Sequence, residues 1–265
     1  MTAPARLLTL TTDFGTRDAY VPAMKGTVLS INPSVTMVDI THEIAPQDVM
    51  EAAFVLRGAV PYFPDGTVHL VVVDPGVGTR RRAVALRKGG HWFVGADNGL
   101  FPLLLDGPPD EAVELNRPAF WRTPSPSDTF HGRDIFAPVA AHLTAGRTLA
   151  DVGTPIETLQ PLHWALPLID EEGIQGWVVH VDRFGNCITN IPRQAFEKAR
   201  NGRAIKCFVG NTILQRLHRT YGEVASGEPL VLFGSSDFLE IAVNAGNAAE
   251  LLGIRKGAPV NVVFV

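Results

Sequence analysis

The stretch VHLVVVDPGVGTRRRAVAL, Val68 to Leu86, governs how the rest of the chain is read. Apolar residues run without alternation into Asp74, a Pro-Gly-x-Gly turn follows, and Arg80, Arg81 and Arg82 come next. A strand that is apolar on both faces belongs in a sheet covered on both sides, not at a surface. An aspartate at the end of such a strand reads in two ways. It is either part of a solvated turn or a carboxylate aimed into a closed site. The DPGVGT turn could also form a nest of backbone N–H groups for an anion.

Working outward, LLTLTTDFG reads as a strand ending at Asp13, and VTMVDIT as another. DAYVPAMKGTVLSIN has apolar residues at helical spacing and stops before Pro33. DVMEAAFVLRGAVPYF is a helix with Asp48 as N-cap. RAVALRK and HWFVGADN form a hairpin, and DIFAPVAAHLTAG is a helix opened by Asp134 and ended by Gly146. Strands alternating with helices argue for an α/β layer with a largely parallel sheet over residues 1–156. Residues 157–170 are a Pro-rich linker. Beyond them come short strands with turn signals (IQGWVVHVDRFGN, AIKCFVG, EPLVLFGSS, FLEIAVNAGN, APVNVVFV) and one helix-like piece, ILQRLHRTYGEV, which strand pairing could override. Residues 171–265 therefore read as a smaller all-β, barrel-like domain.

Composition narrows the function. With 46% hydrophobic and 19% charged residues the chain is globular, and a net charge of −4 does not suit coating nucleic acid or an anionic membrane. Cys187 and Cys207 make no CxxC and read as reduced and buried. The opening MTAPARLLTL lacks a long apolar run with a cleavage site. No run approaches the roughly 18 apolar residues of a membrane helix. A soluble, cytoplasmic protein is expected.

In an open α/β sheet, ligands gather outside the carboxyl ends of the strands, so Asp13 and Asp74 are candidates for one site. Asp13 suits either the two hydroxyls of a ribose or the N-cap of the next helix. His131, in DTFHGRDIF, stands at a loop–helix junction and exchanges a proton near neutral pH, although a histidine there is commonly structural. His42, in THEI, is the next histidine of interest, with no HxH or HExxH beside it. Asn98-Gly99 in ADNGLF is a turn pair. VDRFGN puts a charge (Asp182), a stacking face (Phe184) and an amide (Asn186) on one turn, the parts that hold a zwitterion or a purine. SSDFLE sets Ser235, Ser236 and Glu240 around another, and for either stretch taken alone a plain β-turn with a packed Phe is the simpler reading. GxxxxGK[ST], GxSxG and metal-ligand spacings are absent.

TTDFG, KGTVLSINP, VDITHEI, VVVDPGVGTRRR, GADNGL, DTFHGRDIFAPVAAHL, DRFGNCITNI and SSDFLEIAVNAGNAA occur in this order across nearly the whole chain. Together they resemble the S-adenosyl-L-methionine (SAM) hydrolases, or SAM hydroxide adenosyltransferases, relatives of the fluorinase and chlorinase. The resemblance implies a homotrimer in which SAM lies between the first domain of one subunit and the second domain of its neighbour. It implies a catalytic trio of Asp74, Arg81 and His131, and Asp13 on the ribose hydroxyls. Phe184 and Asn186 would take the adenine, with backbone near Ala245 assisting. Asp182 would meet the methionine ammonium and Ser235 its carboxylate. Asn98, Glu240 and Val243 complete the expected substrate-binding set. The halogenases carry tyrosines where Asp74 and His131 stand here. The fluorinase has Trp, Thr and Arg in place of Gln47, Val77 and Ser236. Water is thus the expected nucleophile, giving adenosine and L-methionine with no cofactor and no metal. Arg80 and Arg82 are read as surface charge or subunit contacts. Competing readings are halide transfer to SAM, a non-catalytic SAM or adenosine sensor, and a metal-dependent hydrolase using Asp13, Asp74, Asp97 and His131.

Overall fold

The computed structural model describes residues 7–105, 107–162 and 166–265. The chain forms two compact units that meet in sequence at residues 162 and 163.

In the first unit, β1 (Leu7–Thr12), α1 (Tyr20–Ile31), β2 (Thr36–Thr41), α2 (Val49–Ala59) and β3 (Val68–Val72) alternate as expected. The hairpin β4 (Ala83–Lys88) and β5 (His91–Ala96), α3 (Leu100–Leu104), β6 (Glu111–Glu114), α4 (Ala137–Thr144), α5 (Leu149–Val152) and β7 (Thr154–Pro155) follow. The strands lie in the order β2-β1-β3-β5-β4-β6-β7. Pairings from β2 to β5 are parallel, and those from β5 to β7 are antiparallel. The expected largely parallel sheet is therefore a mixed one. The tight β4–β5 hairpin reverses the chain and leaves no room for a crossover helix.

The apolar run of β3 explains the layering. Val68, Leu70 and Val72 pack with Met24, Val28 and Ala140 on one face. Val71 and Val73 pack with Ala52, Leu56 and Phe101 on the other. Every residue of β3 is buried because helices cover both sides. Asp48 caps α2 as expected, its side chain accepting from the Glu51 N–H.

The second unit holds β8 (Leu168–Ile169), β9 (Gly173–Val181), β10 (Cys187–Pro192), α6 (Arg193–Arg200), β11 (Ile205–Val209), β12 (Thr212–Leu214), β13 (Leu217–His218), β14 (Pro229–Phe233), β15 (Phe238–Val243), α7 (Ala248–Leu251) and β16 (Pro259–Phe264). They make a nine-stranded, barrel-like sheet ordered β12-β11-β16-β9-β10-β15-β14-β13, with β8 on β9. Helices α6 and α7 qualify the all-β expectation. In ILQRLHRTYGEV strand pairing does override the helical spacing: β12 pairs with β11 and β13 with β14, and one 3-10 turn follows at Tyr221–Glu223. Both cysteines are free and buried, and burial raises the Cys187 thiol to about 11 and Cys207 to about 12. Of the Pro-rich stretch, residues 157–162 belong to the first unit, and 163–165 lie outside the described residues.

Candidate active site

The chain leaves β1 toward β2 on one side and returns to β3 on the other, so the sheet's order switches between β1 and β3. Their last aligned pair is Thr12 and Val72. Asp13 follows directly and Asp74 one residue later, at the crevice where open α/β sheets bind ligands. A cavity of about 280 Å³ opens there, lined by Asp13, Phe14, Pro46, Gln47, Val72, Asp74, Pro75, Val77 and residues 129–132.

Asp74 and Arg81 face each other across the turn. Arg81 Nε donates to Asp74 Oδ1 at 2.9 Å, and Nη2 donates to Oδ2. Nη2 also donates to His131 Nδ1 at 2.7 Å. The two paired side chains are only 9% and 6% exposed, so the ion pair operates with little solvent screening. The Arg81 guanidinium also lies over the Phe136 ring, 5.2 Å from its centroid. Gly78 allows this fold-back. Its φ is +76°, and a Cβ there would strike the Asp128 carbonyl in the segment leading to His131.

A guanidinium only donates, so the His131 nitrogen facing it is a lone pair and Nε2 carries the proton. Burial and then the Arg81 charge lower the His131 pKa, partly offset by Asp74, Asp128 and Asp134. Neutral imidazole is thus the resting form at neutral pH. His131 sits where a π-helical turn, Gly132–Phe136, leads into α4. Asp134 does not open that helix as expected. It is buried inside the turn, accepting from Arg122 Nε at 2.6 Å, Arg133 Nε at 2.7 Å and the Ser127 N–H at 2.9 Å. Burial alone would raise its pKa, but these bonds outweigh it and hold the carboxyl well below the usual range.

Asp13 is not an N-cap. The N-terminus of α1 lies at Ala19 and has no side-chain cap, while Asp13 Oδ2 accepts from the Gln47 N–H at 2.7 Å. Burial raises the Asp13 pKa, the Gln47 bond opposes it, and the Asp74 charge raises it further.

Arg82 overturns its expected surface role. Nε and Nη2 donate to Asp97 Oδ2 at 2.9 and 2.6 Å, and Nη2 also reaches the Thr158 carbonyl. Asp97 Oδ1 accepts from the Gln160 N–H, so its oxygens are occupied. Among the described residues, no group of three or more His, Cys, Asp or Glu side chains is arranged to hold a metal. Asn98 donates to the Val73 carbonyl at 2.9 Å and accepts from the Leu100 N–H. It braces the strand end before Asp74 and does not line the cavity.

In the second unit, Asp182 Oδ1 accepts from the N–H groups of Phe184 and Asn186, and Oδ2 from Asn186 Nδ2 at 2.9 Å. This closed turn presents the Phe184 ring 75% exposed. Glu240 is buried and accepts from the Tyr221 hydroxyl at 2.7 Å. Burial raises its pKa, against the Tyr221 bond, and the Asp182 charge adds to the rise. Ser235 is exposed in the β14–β15 turn. The Val243 side chain lies in the core, which leaves only its backbone for a ligand. Ala245 has a left-handed φ of 54° just after β15.

Phe14 and Phe130 were missed as cavity residues. Each adjoins a candidate site residue in sequence, Asp13 and His131, and that adjacency was the available signal. With Tyr20 they form an aromatic cluster with centroids 5.2–5.8 Å apart.

Fold and cavity define an α/β ligand-binding unit followed by a β-rich one. Residues 8–153 match the SAM hydroxide adenosyltransferase N-terminal domain, and residues 176–261 match its C-terminal domain. The chain belongs to the SAM hydroxide adenosyltransferase family. It is 44% identical to the (R)-S-adenosyl-L-methionine hydrolase of Thermus thermophilus, over 95% of this chain and 97% of that one. A fluorinase of an Actinoplanes species is 29% identical, over 97% of each. A solved structure of a conserved protein from Thermotoga maritima is similar, with a TM-score of 0.87 and 39% identity, covering 97% of this chain and 99% of that one.

Proposed function

We propose that this protein hydrolyses SAM to adenosine and L-methionine, with water attacking C5′ in line with the C–S bond. The observation that carries the reading is the hydrogen-bonded contact of Asp74, Arg81 and His131, of which Asp74 and His131 line the cavity. The similarity to named SAM hydrolases supports the substrate.

The leaving group is a neutral thioether departing from a sulfonium, so it takes the C–S electron pair and needs no proton. The difficulty is the nucleophile. Arg81 stabilises the hydroxide character that develops on the attacking water. His131 Nδ1 is occupied by Arg81, which leaves Asp74, with lone pairs beyond the two that Arg81 engages, to accept the proton. His131 Nε2–H orients the water. As the C5′–O bond forms and the C–S bond breaks, the proton passes through Asp74 to solvent. Holding the water in line contributes several kcal/mol by itself.

Asp13 holds the ribose hydroxyls. Phe184 and Asn186 receive the adenine with backbone near Val243 and Ala245. Asp182, with Glu240 behind it, meets the ammonium, and Ser235 the carboxylate. Asn98 supports the site from outside the cavity. In this reading the assembly is a homotrimer with each site shared between neighbouring subunits, residues 1–156 and 171–265 being its functional domains. Catalysis needs no metal or cofactor, and the enzyme works in the cytoplasm.

The test is chromatography of products from SAM, with and without chelator and chloride, beside Asp74→Asn and His131→Ala. Adenosine and methionine from the wild type, insensitive to chelator and lost in the variants, is the expected result. A chloride-dependent nucleoside product would instead establish halide transfer. Retained SAM without turnover would establish a sensor.

A further inference from the structure

His42 is the one histidine singled out in the sequence that the proposed chemistry does not use. It is buried, 6% exposed, and stands just past β2 in the neighbourhood of Asp13. Two bonds tie it to the loop that carries Asp13. Its Nδ1 lies 2.9 Å from Thr12 Oγ1, and its carbonyl accepts from the Gly15 N–H at 2.7 Å. Thr12 Oγ1 in turn accepts from the Phe14 N–H at 3.3 Å. The residues flanking Asp13 on both sides are thus fastened to His42, while the Gln47 N–H fastens the Asp13 carboxylate itself.

His42 is held from behind as well. Nε2 lies 3.1 Å from Asp39 Oδ1, an ion-pair distance whose geometry falls short of a hydrogen bond, and Lys25 Nζ binds Asp39 Oδ2 at 2.6 Å. In a regular strand, residues three apart face opposite sides. Here the β1–β2 register slips between Leu10 and Thr11, pairing Leu10 with Asp39 but Thr11 with Thr41. The extra residue re-aims the chain, and bulges of this kind recur beside active sites. A carboxylate only accepts, so the ring nitrogen facing Asp39 carries the proton. In the neutral ring Nδ1 is then the acceptor for the Thr12 hydroxyl.

We infer that His42 is a positioning residue for Asp13, setting the loop from which that carboxylate grips the two ribose hydroxyls. The inference rests on the proposed SAM-hydrolase reading. His42 touches no reacting atom, so its loss weakens the hold on ribose more than it slows the chemical step.

The experiment is a double-mutant cycle read by calorimetry with adenosine and 2′-deoxyadenosine, and by kcat and KM with SAM. The proteins are the wild type, His42→Ala, His42→Asn, Asp13→Ala and the His42→Ala/Asp13→Ala double variant. His42→Ala is expected to weaken adenosine binding and raise KM about tenfold, the cost of one misplaced hydrogen-bonding group, with a smaller change in kcat. The preference for adenosine over its 2′-deoxy form should shrink in step. His42→Asn places an oxygen where Nδ1 stands and should restore most of both. In the Asp13→Ala background, His42→Ala should add nothing further, because coupled residues do not contribute independently.

Additive losses, an unchanged ribose preference, or a fall in kcat at constant KM would overturn the inference, as would failure of His42→Asn to restore a folded protein's affinity. If His42→Ala does not fold, His42→Asn and Thr12→Val carry the same comparison. A wild type that neither binds adenosine nor forms it from SAM would defeat the functional reading itself, and this inference with it.

Discussion

Arg81 and Arg82 are neighbours in sequence, and each binds a buried aspartate, yet the two pairs do different things. Arg81 meets Asp74 and Arg82 meets Asp97, and the two carboxylates are 6% and 3% exposed. Asp97 spends its remaining capacity on the Gln160 N–H, while Arg82 spends its own on the Thr158 carbonyl. That pair fastens residues 158–160 to the first unit and is closed. Asp74 instead lines a cavity, and the spare N–H of Arg81 goes to His131, which lines the same cavity. Burial and pairing alone do not mark a reactive ion pair. What marks it is capacity left over and pointed at space.

The comparison breaks first at Asp74. Asp74→Asn keeps the shape but removes the proton acceptor, and kcat should fall on the order of 10²–10⁴-fold, the range of general base catalysis. Its melting temperature should fall too, since the Asp74–Arg81 pair is the more buried of the two, so kcat is the reading that identifies the base. A variant that turns over SAM at the wild-type rate would move the base elsewhere.

Asp97→Asn should lower stability while sparing turnover. Breaking a wholly buried pair costs about 3–5 kcal/mol, but Arg82 keeps roughly a third of its side chain in water, so a loss of about 2 kcal/mol is expected. Thermal denaturation would register this as a lower melting temperature, with kcat changed by less than about threefold, an effect well under the one above. A large fall in kcat without a fall in stability would erase the distinction between the pairs.

Histidines sharpen the contrast in another way. His69 is wholly buried within the sheet, with Nδ1 2.7 Å from Thr9 Oγ1, Nε2 3.1 Å from His91 Nδ1 and its ring stacked on Phe93. Burial and then the His91 charge lower its pKa from 6.5 to about 3. In this window the unfolded chain binds a proton that the folded protein refuses. The stabilisation from a neutral His69 is complete above pH 6.5 and drains away as pH falls toward 3, at up to about 1.4 kcal/mol per pH unit. The Asp134 contribution runs lower, present above pH 3.8 and lost as pH falls below it. Melting temperatures of wild type and His69→Gln between pH 7 and pH 4 would separate them. The variant should start less stable and fall less steeply. Parallel curves would remove His69 from the acid response.

Much of this was legible in the chain, and the limits have physical causes. The β3 run, the Asp48 cap and the β4–β5 hairpin are local signals, and each appeared where its residues placed it. Asp13 and Asp74 were legible as candidates because each ends a strand of an open α/β sheet, although an N-cap for the one and a solvated turn for the other stood beside that reading. The Asp97–Arg82 and Asp134–Arg122 pairs were not, since their partners stand fifteen and twelve residues apart with no period linking them. Helix α6 has only one buried residue, Phe196, too little apolar signal to suggest a helix. The β4–β5 hairpin announced the first antiparallel pair, but β6 and β7, which extend that half of the sheet, have four and two residues and are too short to declare themselves.

The smallest effect belongs to Arg80, which completes the series. It is exposed, one residue before Arg81 and two before Arg82, with the same side chain and the same charge. If partners and not proximity confer function, Arg80→Ala should shift stability by no more than about 0.5 kcal/mol, as surface substitutions do, and leave kcat within about twofold. Arg81→Ala should abolish turnover, and Arg82→Ala should lower the melting temperature while sparing turnover. Kinetics and melting curves of the three variants would thus assign one chemical, one architectural and one solvated role to three consecutive identical residues. A change in sedimentation for Arg80→Ala would give it a partner after all, on another subunit, and the solvated role would then have to be withdrawn.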